Sequence, residues 1–233
     1  MLYRIKRFYG NRLETTEGQR VGHVADCYFD DRTWTVLFFA VDTYWWTPLR
    51  RVLISPHVLK AVPQHGRVLP VNLTRKQIED GPTLEVNETV TAAHVSECFR
   101  HYNWPFYWLG GTTWGPSDSG AEPARQANRR AKGEQPNVVT ADLHLRSARS
   151  FFGFPVQAGP DCIGQVDDLL VDGKQWQIRD LAVDLSHHWL PPKSILVSTR
   201  RTLPIDWEEE RVHITTSKAQ IESTLGPHEA VHA

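Results

Sequence analysis

Gly22-His23-Val24-Ala25-Asp26, continued by Asp30, Trp34 and Ala40-Val41-Asp42, is written twice in this chain. It returns as Gly164-Gln165-Val166-Asp167-Asp168, Asp172, Trp176 and Ala182-Val183-Asp184, always at an offset of 142. From 22 to 42, eight of twenty-one positions are identical. One residue of slack follows. The match then resumes as Leu53-Ile54-Ser55 with Leu196-Val197-Ser198, and Gln77-Ile78-Glu79 with Gln220-Ile221-Glu222. Upstream, Phe8-Tyr9-Gly10 answers to Phe151-Phe152-Gly153. A repeat of this length is a small domain rather than a solenoid unit. The 233 residues fit one or two domains, and the repeat decides for two.

Each copy reads as a run of short strands. The first covers 20–29 and 162–171. A turn follows, Asp30-Asp31-Arg32-Thr33 or Asp172-Gly173-Lys174-Gln175, and Asp-Gly between apolar runs is a strong hairpin signal. The second strand, 34–42 or 176–185, is β-branched and aromatic, as a pleated, half-buried surface prefers. A proline-containing loop leads to a third strand at 52–55 or 195–198, and 68–73 or 212–216 read as a last one. Thr74-Arg75-Lys76-Gln77 and Ser217-Lys218-Ala219-Gln220 both spell a capping box. A brief helix should therefore close each copy, with Ile78 and Ile221 as inward anchors. The expected fold class is mainly β: two small barrels in tandem, each closed by a short helix.

Between the copies lies sequence with no counterpart. Residues 88–103 read as a helix, because Val95, Cys98, Phe99 and Tyr102 recur at spacings of three and four. Trp104, Phe106, Tyr107 and Trp108 form an aromatic tail, and 112–137 are rich in Gly, Pro, Ser, Ala and charge. The expected organisation is a first domain at 1–82, a helix and aromatic tail at 83–111, a flexible linker at 112–140 and a second domain at 141–227.

The Gly-x-Val-x-Asp strand, the Asp turn, the Trp strand and the Ala-Val-Asp ending resemble the PRC-barrel domain family. That family is named for the cytoplasmic domain of the photosynthetic reaction-centre H subunit, and includes a domain of a ribosome-maturation factor and stand-alone bacterial proteins. The resemblance covers about 2–82 and 143–226. The aromatic tail at 104–108 is similar to one that follows the barrel in stand-alone members. The resemblance implies a noncatalytic barrel that docks proteins or other macromolecules. It leaves out the H subunit's transmembrane helix and the maturation factor's N-terminal domain, so neither specific activity is carried over whole.

Charge is balanced, 26 basic against 27 acidic residues, so no global field points to nucleic acid or an anionic membrane. Three cysteines without motif spacing fit a reducing compartment. Met1–Arg7 carries no apolar signal core and no stretch of 18 apolar residues exists, so the expectation is a cytoplasmic chain. Peripheral contact with a membrane-associated complex stays open through the H-subunit resemblance.

Several residues have side chains suited to chemistry. His94, Cys98 and His101 lie along one side of a helix with imidazole and thiolate suited to zinc, but Cys98 also falls on the apolar stripe and no fourth ligand is evident. No metal or cofactor is expected. Asp26/Asp168, Asp30/Asp172 and Asp42/Asp184 recur in both copies, as turn and backbone-bonding residues do, whereas a catalytic pair would not be duplicated. No nucleophile elbow or phosphate loop occurs, and the expectation is no enzymatic activity. Arg50-Arg51 beside Tyr44, Trp45 and Trp46 could contact RNA, a reading the acidic run Glu208-Glu209-Glu210 opposes. A small barrel cannot bury the rings of Trp104, Phe106, Tyr107 and Trp108 internally, so they should cap its open side, fill the interface between the copies or meet another chain. With Tyr44, Trp45 and Trp46, which do not recur in the second copy, they are the residues expected to meet a protein partner or a second copy.

Overall fold

Apolar, β-branched runs flanked by turn residues set the strands of this computed structural model, which describes residues 1–43, 50–63, 66–85, 88–105, 144–185, 194–217 and 220–221. The first half carries β1 (Leu2–Arg4), β2 (Arg12–Glu14), β3 (Arg20–Asp30), β4 (Thr35–Thr43), β5 (Arg50–Ile54) and β6 (Val68–Pro70). Helix α1 (Arg75–Glu79), β7 (Thr83–Glu85) and helix α2 (Ala92–His101) complete it. The second half carries β8 (Leu145–Ser147), the short helix α3 (Ala148–Phe151), β9 (Pro155–Ala158), β10 (Asp161–Asp172), β11 (Ile178–Asp184), β12 (Ser194–Ser198) and β13 (Val212–Ile214). The protein is mainly β, in two sheets. Among the described residues one runs β6-β2-β3-β4-β5-β7 and the other β12-β11-β10-β9-β13. No helix among the described residues is long and apolar enough to cross a membrane.

The two halves complete each other's sheets. The edge of β3 that pairs with β2 near Arg20–His23 pairs with β8 at Tyr28–Asp30. The corresponding edge of β10 pairs with β9 near Asp161–Gln165 and with β1 at Leu170–Asp172. Each half thus lends its first strand to the other. The register obeys the repeat: Leu2 faces Asp172 as Leu145 faces Asp30. Gly173 N–H donates to the Met1 carbonyl as Asp31 N–H donates to that of His144.

Trp34 and Trp176 tie the same seam. Both sit at positive φ, 56° and 57°, an uncommon conformation for a bulky residue. Their carbonyls accept from the opposite half, Val36 N to Trp176 O and Ile178 N to Trp34 O, each 2.7 Å. The Trp176 ring packs on Phe8 and Phe39 of the first half, and Trp34 lies against Phe151 of the second.

Gly22 and Gly164 owe their place to close approach. A Cβ there would stand 2.5 Å from the Asp42 carbonyl oxygen and 2.2 Å from that of Asp184. This explains the glycine of the repeated Gly-x-Val-x-Asp strand.

The first-half core is packed on both faces of β4. Phe39 looks toward Phe8 and Trp176, and Phe38 toward Phe99 and Trp104. Both capping boxes form: Thr74 exchanges hydrogen bonds with Gln77, and Ser217 with Gln220. Ile78 and Ile221 are buried.

Some boundaries differ from expectation. Helix α2 starts at Ala92, not 88, because the Thr91 side chain accepts from His94 N–H and makes Thr91 the cap. The second strand of the second half starts at Ile178, after the left-handed Trp176. The Asp172-Gly173 signal marks a wider connection in which Trp176 N–H donates to the Asp172 carbonyl. Gly173 is there for space: a Cβ would stand 2.3 Å from the Tyr3 ring. β6 ends at Pro70 and β13 at Ile214, short of 73 and 216. The expected linker at 112–140 lies outside the described residues.

Candidate functional site

β3 carries a bulge between Val24 and Asp26, and β10 an identical one between Val166 and Asp168. A bulge adds an unpaired residue and re-aims its neighbours. Here it turns each aspartate toward the strand lent by the other half. Asp26 accepts from Cys27 N–H at 2.7 Å, Ser147 Oγ–H at 2.6 Å, Arg149 N–H at 3.2 Å and Tyr9 O–H at 3.3 Å. Asp168 accepts from Leu169 N–H at 2.8 Å and Lys6 N–H at 3.1 Å, with Arg4 at 3.9 Å. The buried aspartates are therefore clamps between halves. Asp30 and Asp172 hold their turns by accepting from N–H groups two or three residues on.

Beside the Asp26 bulge lies a surface cleft of about 410 Å³ lined by Gly10, His23, Val24, Ala25, Asp26, Asp42, Arg51 and Arg149. Asp42 and Arg51, cross-strand partners on β4 and β5, form a two-pronged pair at 2.7 and 3.2 Å. Burial works against the Arg51 charge, but the hydrogen bond and charge of Asp42 hold its pKa above the ordinary value. Burial and then the Asp26 charge raise the Tyr28 phenol, while Arg51, bonded to it, pulls the other way. Arg149 comes from the second half; its guanidinium donates to the Ala25 carbonyl at 2.7 Å and lies 5.0 Å over the Tyr9 ring. The Ser147 hydroxyl is committed to Asp26, and burial, with Asp26 next, raises the Cys27 thiol well above its usual value. The cleft is thus lined by two arginines, a histidine and two aspartates whose carboxylates already accept hydrogen bonds.

The other residues singled out in the sequence fall elsewhere. Trp104 is 4% exposed; it stacks on Tyr102 at 4.4 Å and meets Phe99 edge-on at 5.7 Å, so it is packed within the chain. The Tyr102 hydroxyl is buried against Gly81. Phe106, Tyr107, Trp108, Tyr44, Trp45 and Trp46 lie outside the described residues. His94 is engaged with Thr91 and Glu88, His101 with the Gln77 carbonyl at 2.8 Å, and Cys98 points into the core, where burial pushes its thiol up to about 12. Among the described residues no group of three or more metal-ligating side chains converges.

Of the cleft residues, Asp26, Asp42 and Arg51 stand out in the sequence, whereas His23 and Arg149 of the lining, and Tyr28 beside Arg51, do not. The signal was available in the mismatches of the repeat: His23 against Gln165, Tyr28 against Leu170, Arg51 against Ser194. No protein-family model matches the chain, and a search of curated proteins finds no significant match.

Proposed function

We propose that this protein is a non-enzymatic adaptor, a cytoplasmic tandem of PRC-barrel-like units that binds a protein partner or a second copy of itself, with a membrane-associated complex as one setting. The observation that carries the reading is the contrast between interior and surface. Phe8, Phe29, Phe39, Phe151 and Trp176 fill the space between and within the halves. The polar cleft lies outside that filled core, at the seam. Enzyme pockets are concave, largely apolar and pre-formed. A filled core with an ion-paired surface cleft fits recognition better than turnover. The aromatic residues 104–108 and 44–46 are the remaining proposed contacts, with Trp104 acting from its packed position as a support.

Affinity capture of the tagged full chain from its native cells, with excess untagged chain as competitor, tests this, alongside light scattering of the purified protein. The expected result is a stoichiometric, competable protein that survives nuclease, or a dimer mass. Ribosomal particles released by nuclease and rising salt would overturn the reading in favour of RNA association. A monomer that captures nothing competable would overturn it as well.

A further inference from the structure

The pseudo-symmetry supplies an internal control for the cleft. Lys6 stands in the second seam where Arg149 stands in the first. Lys6 Nζ lies 4.9 Å over the Phe152 ring, and the Arg149 guanidinium 5.0 Å over the Tyr9 ring. The two cationic arms have the same aromatic floor, but their anions differ. Lys6 Nζ contacts the Asp167 carboxylate at 2.6 Å, and Arg4 reaches the same carboxylate at 3.3 Å. The position matching Asp167 is Ala25. Among the described residues no carboxylate lies within ion-pair distance of the Arg149 guanidinium, which turns to the Ala25 carbonyl instead. Where the second copy holds a carboxylate, the first has a methyl group and an open cleft.

The cleft is also enriched around that gap. His23 and Arg51 of its lining, and Tyr28 beside Arg51, replace Gln165, Ser194 and Leu170 of the second copy. The cleft's own carboxylates are engaged: Asp26 by four donors, Asp42 by the two-pronged Arg51 contact. Guanidinium carries five N–H donors and suits carboxylate recognition. We propose that the cleft binds a carboxylate group, seated beside Ala25 in the place that Asp167 fills in the second copy, and held by Arg149 with Arg51 and His23 along its walls. The second seam thus displays its own ligand. This site stands on the contrast between the copies and does not need the adaptor reading.

The test is a titration of the isotopically labelled full chain by NMR. The probes are glutarate, an acetylated and amidated Glu-Glu-Glu peptide, and inorganic phosphate as the competing anion. Both carboxylate probes should shift the Gly10, Val24 and Ala25 amides saturably, and more strongly than phosphate. Tighter binding of the peptide assigns the carboxylate to a partner's acidic side chain; tighter binding of glutarate assigns it to a free ligand. Ala25→Asp, which installs the second copy's residue, should weaken binding by about tenfold or more. Arg149→Gln should do the same, and Arg149→Lys should retain most of it. Denaturation midpoints accompany each variant, so that a folding defect in Ala25→Asp leaves Arg149→Gln to decide. Absence of saturable shifts, shifts indifferent to both variants, or stronger binding of phosphate would each overturn the proposal.

Discussion

The two ends of the seam share a backbone plan and differ in how they use it. At the Asp168 end, Arg4 and Lys6 both reach the Asp167 carboxylate, and Arg4 also approaches Asp168. At the Asp26 end, Tyr9, Ser147 and the Arg149 backbone satisfy the clamp, and a cleft stays open beside it. Farther along, Gly173 makes room for the Tyr3 ring, whereas its counterpart Asp31 accepts from Arg146 at 3.2 Å and Trp207 at 2.6 Å. What recurs is the exchange of strands, fixed by main-chain hydrogen bonds. What varies is the side-chain chemistry placed on it. A duplicated fold can hold one seam as structure while the other acquires a site.

The strongest way to break that plan is at the tryptophans. Trp176 is buried and Trp34 only half-buried, so the pair should respond unequally. Trp176→Ala should cost about 3–5 kcal/mol through lost burial and a cavity between Phe8 and Phe39. Trp34→Ala should cost about 1–3 kcal/mol, since less area is lost. Urea denaturation followed by far-ultraviolet circular dichroism measures both. Equal losses would show that the two tryptophans are not distinguished by burial.

The clamps come next. Asp26→Ala strands the Cys27 and Arg149 N–H groups and the Ser147 hydroxyl, and should cost about 2–4 kcal/mol. Asp168→Ala strands fewer donors and should cost less. The acid range sharpens the comparison. Burial raises the Asp168 carboxyl, against the lowering effects of the Lys6 and Leu169 N–H bonds and of the Arg4 and Lys6 charges. The folded state therefore holds this proton more tightly than the unfolded state does. Its stabilising contribution is complete below the unfolded carboxyl pKa and is lost as pH rises through the raised folded value. Asp172 runs the other way: the Lys174 N–H bond lowers its pKa, so its contribution is present above the unfolded value and lost as pH falls through the folded one. Urea midpoints measured from about pH 3 to 6 should lose the falling component in Asp168→Asn and the rising one in Asp172→Asn. A profile unchanged by either substitution would remove that carboxyl as a source of pH dependence.

The legible part of the fold was the part that repeats. The long strands, both capping boxes and the inward Ile78 and Ile221 follow from local pattern, because each depends on neighbours in sequence. The exchange was not legible. β1 and β8 are three residues long, too short for a period-2 signal, and partners more than 100 residues away in the chain leave no trace in local propensity. The positive φ of the tryptophans also escaped, since composition favours strand there. The site was half visible. The identities of the repeat mark Asp26 and Asp42; its changes of charge, Ala25 against Asp167 above all, mark the cleft. Arg149 needed the structure, because only the strand exchange brings it across.

A smaller break tests the spatial account of Gly173. Gly173→Ala brings a Cβ against the Tyr3 ring and should cost about 1–3 kcal/mol by overpacking. In a Tyr3→Ala background the same change should cost much less, and the difference is the coupling read by a double-mutant cycle. If the cost persists without the Tyr3 ring, turn conformation rather than space selects the glycine.

The gentlest probe compares the seam with the α2 side of the first half through its cysteines. Cys27 lies beneath the Asp26 clamp, Cys98 in the apolar face of α2, and Cys162 half-buried on β10. A thiol reagent attacks thiolate, and burial raises the Cys27 and Cys98 thiols above their ordinary pKa. At neutral pH Cys162 should label first, and the other two only through opening of the fold. Because Trp176 ties the seam and Trp104 packs against α2, the two slow sites should separate under mutation. Trp176→Ala should speed Cys27 labelling more than Cys98, and Trp104→Ala should do the reverse. Mass spectrometry of timed alkylation reads each site independently. Parallel acceleration of both by either variant would mean that seam and helix open as one unit, and that the contrast between them is static only.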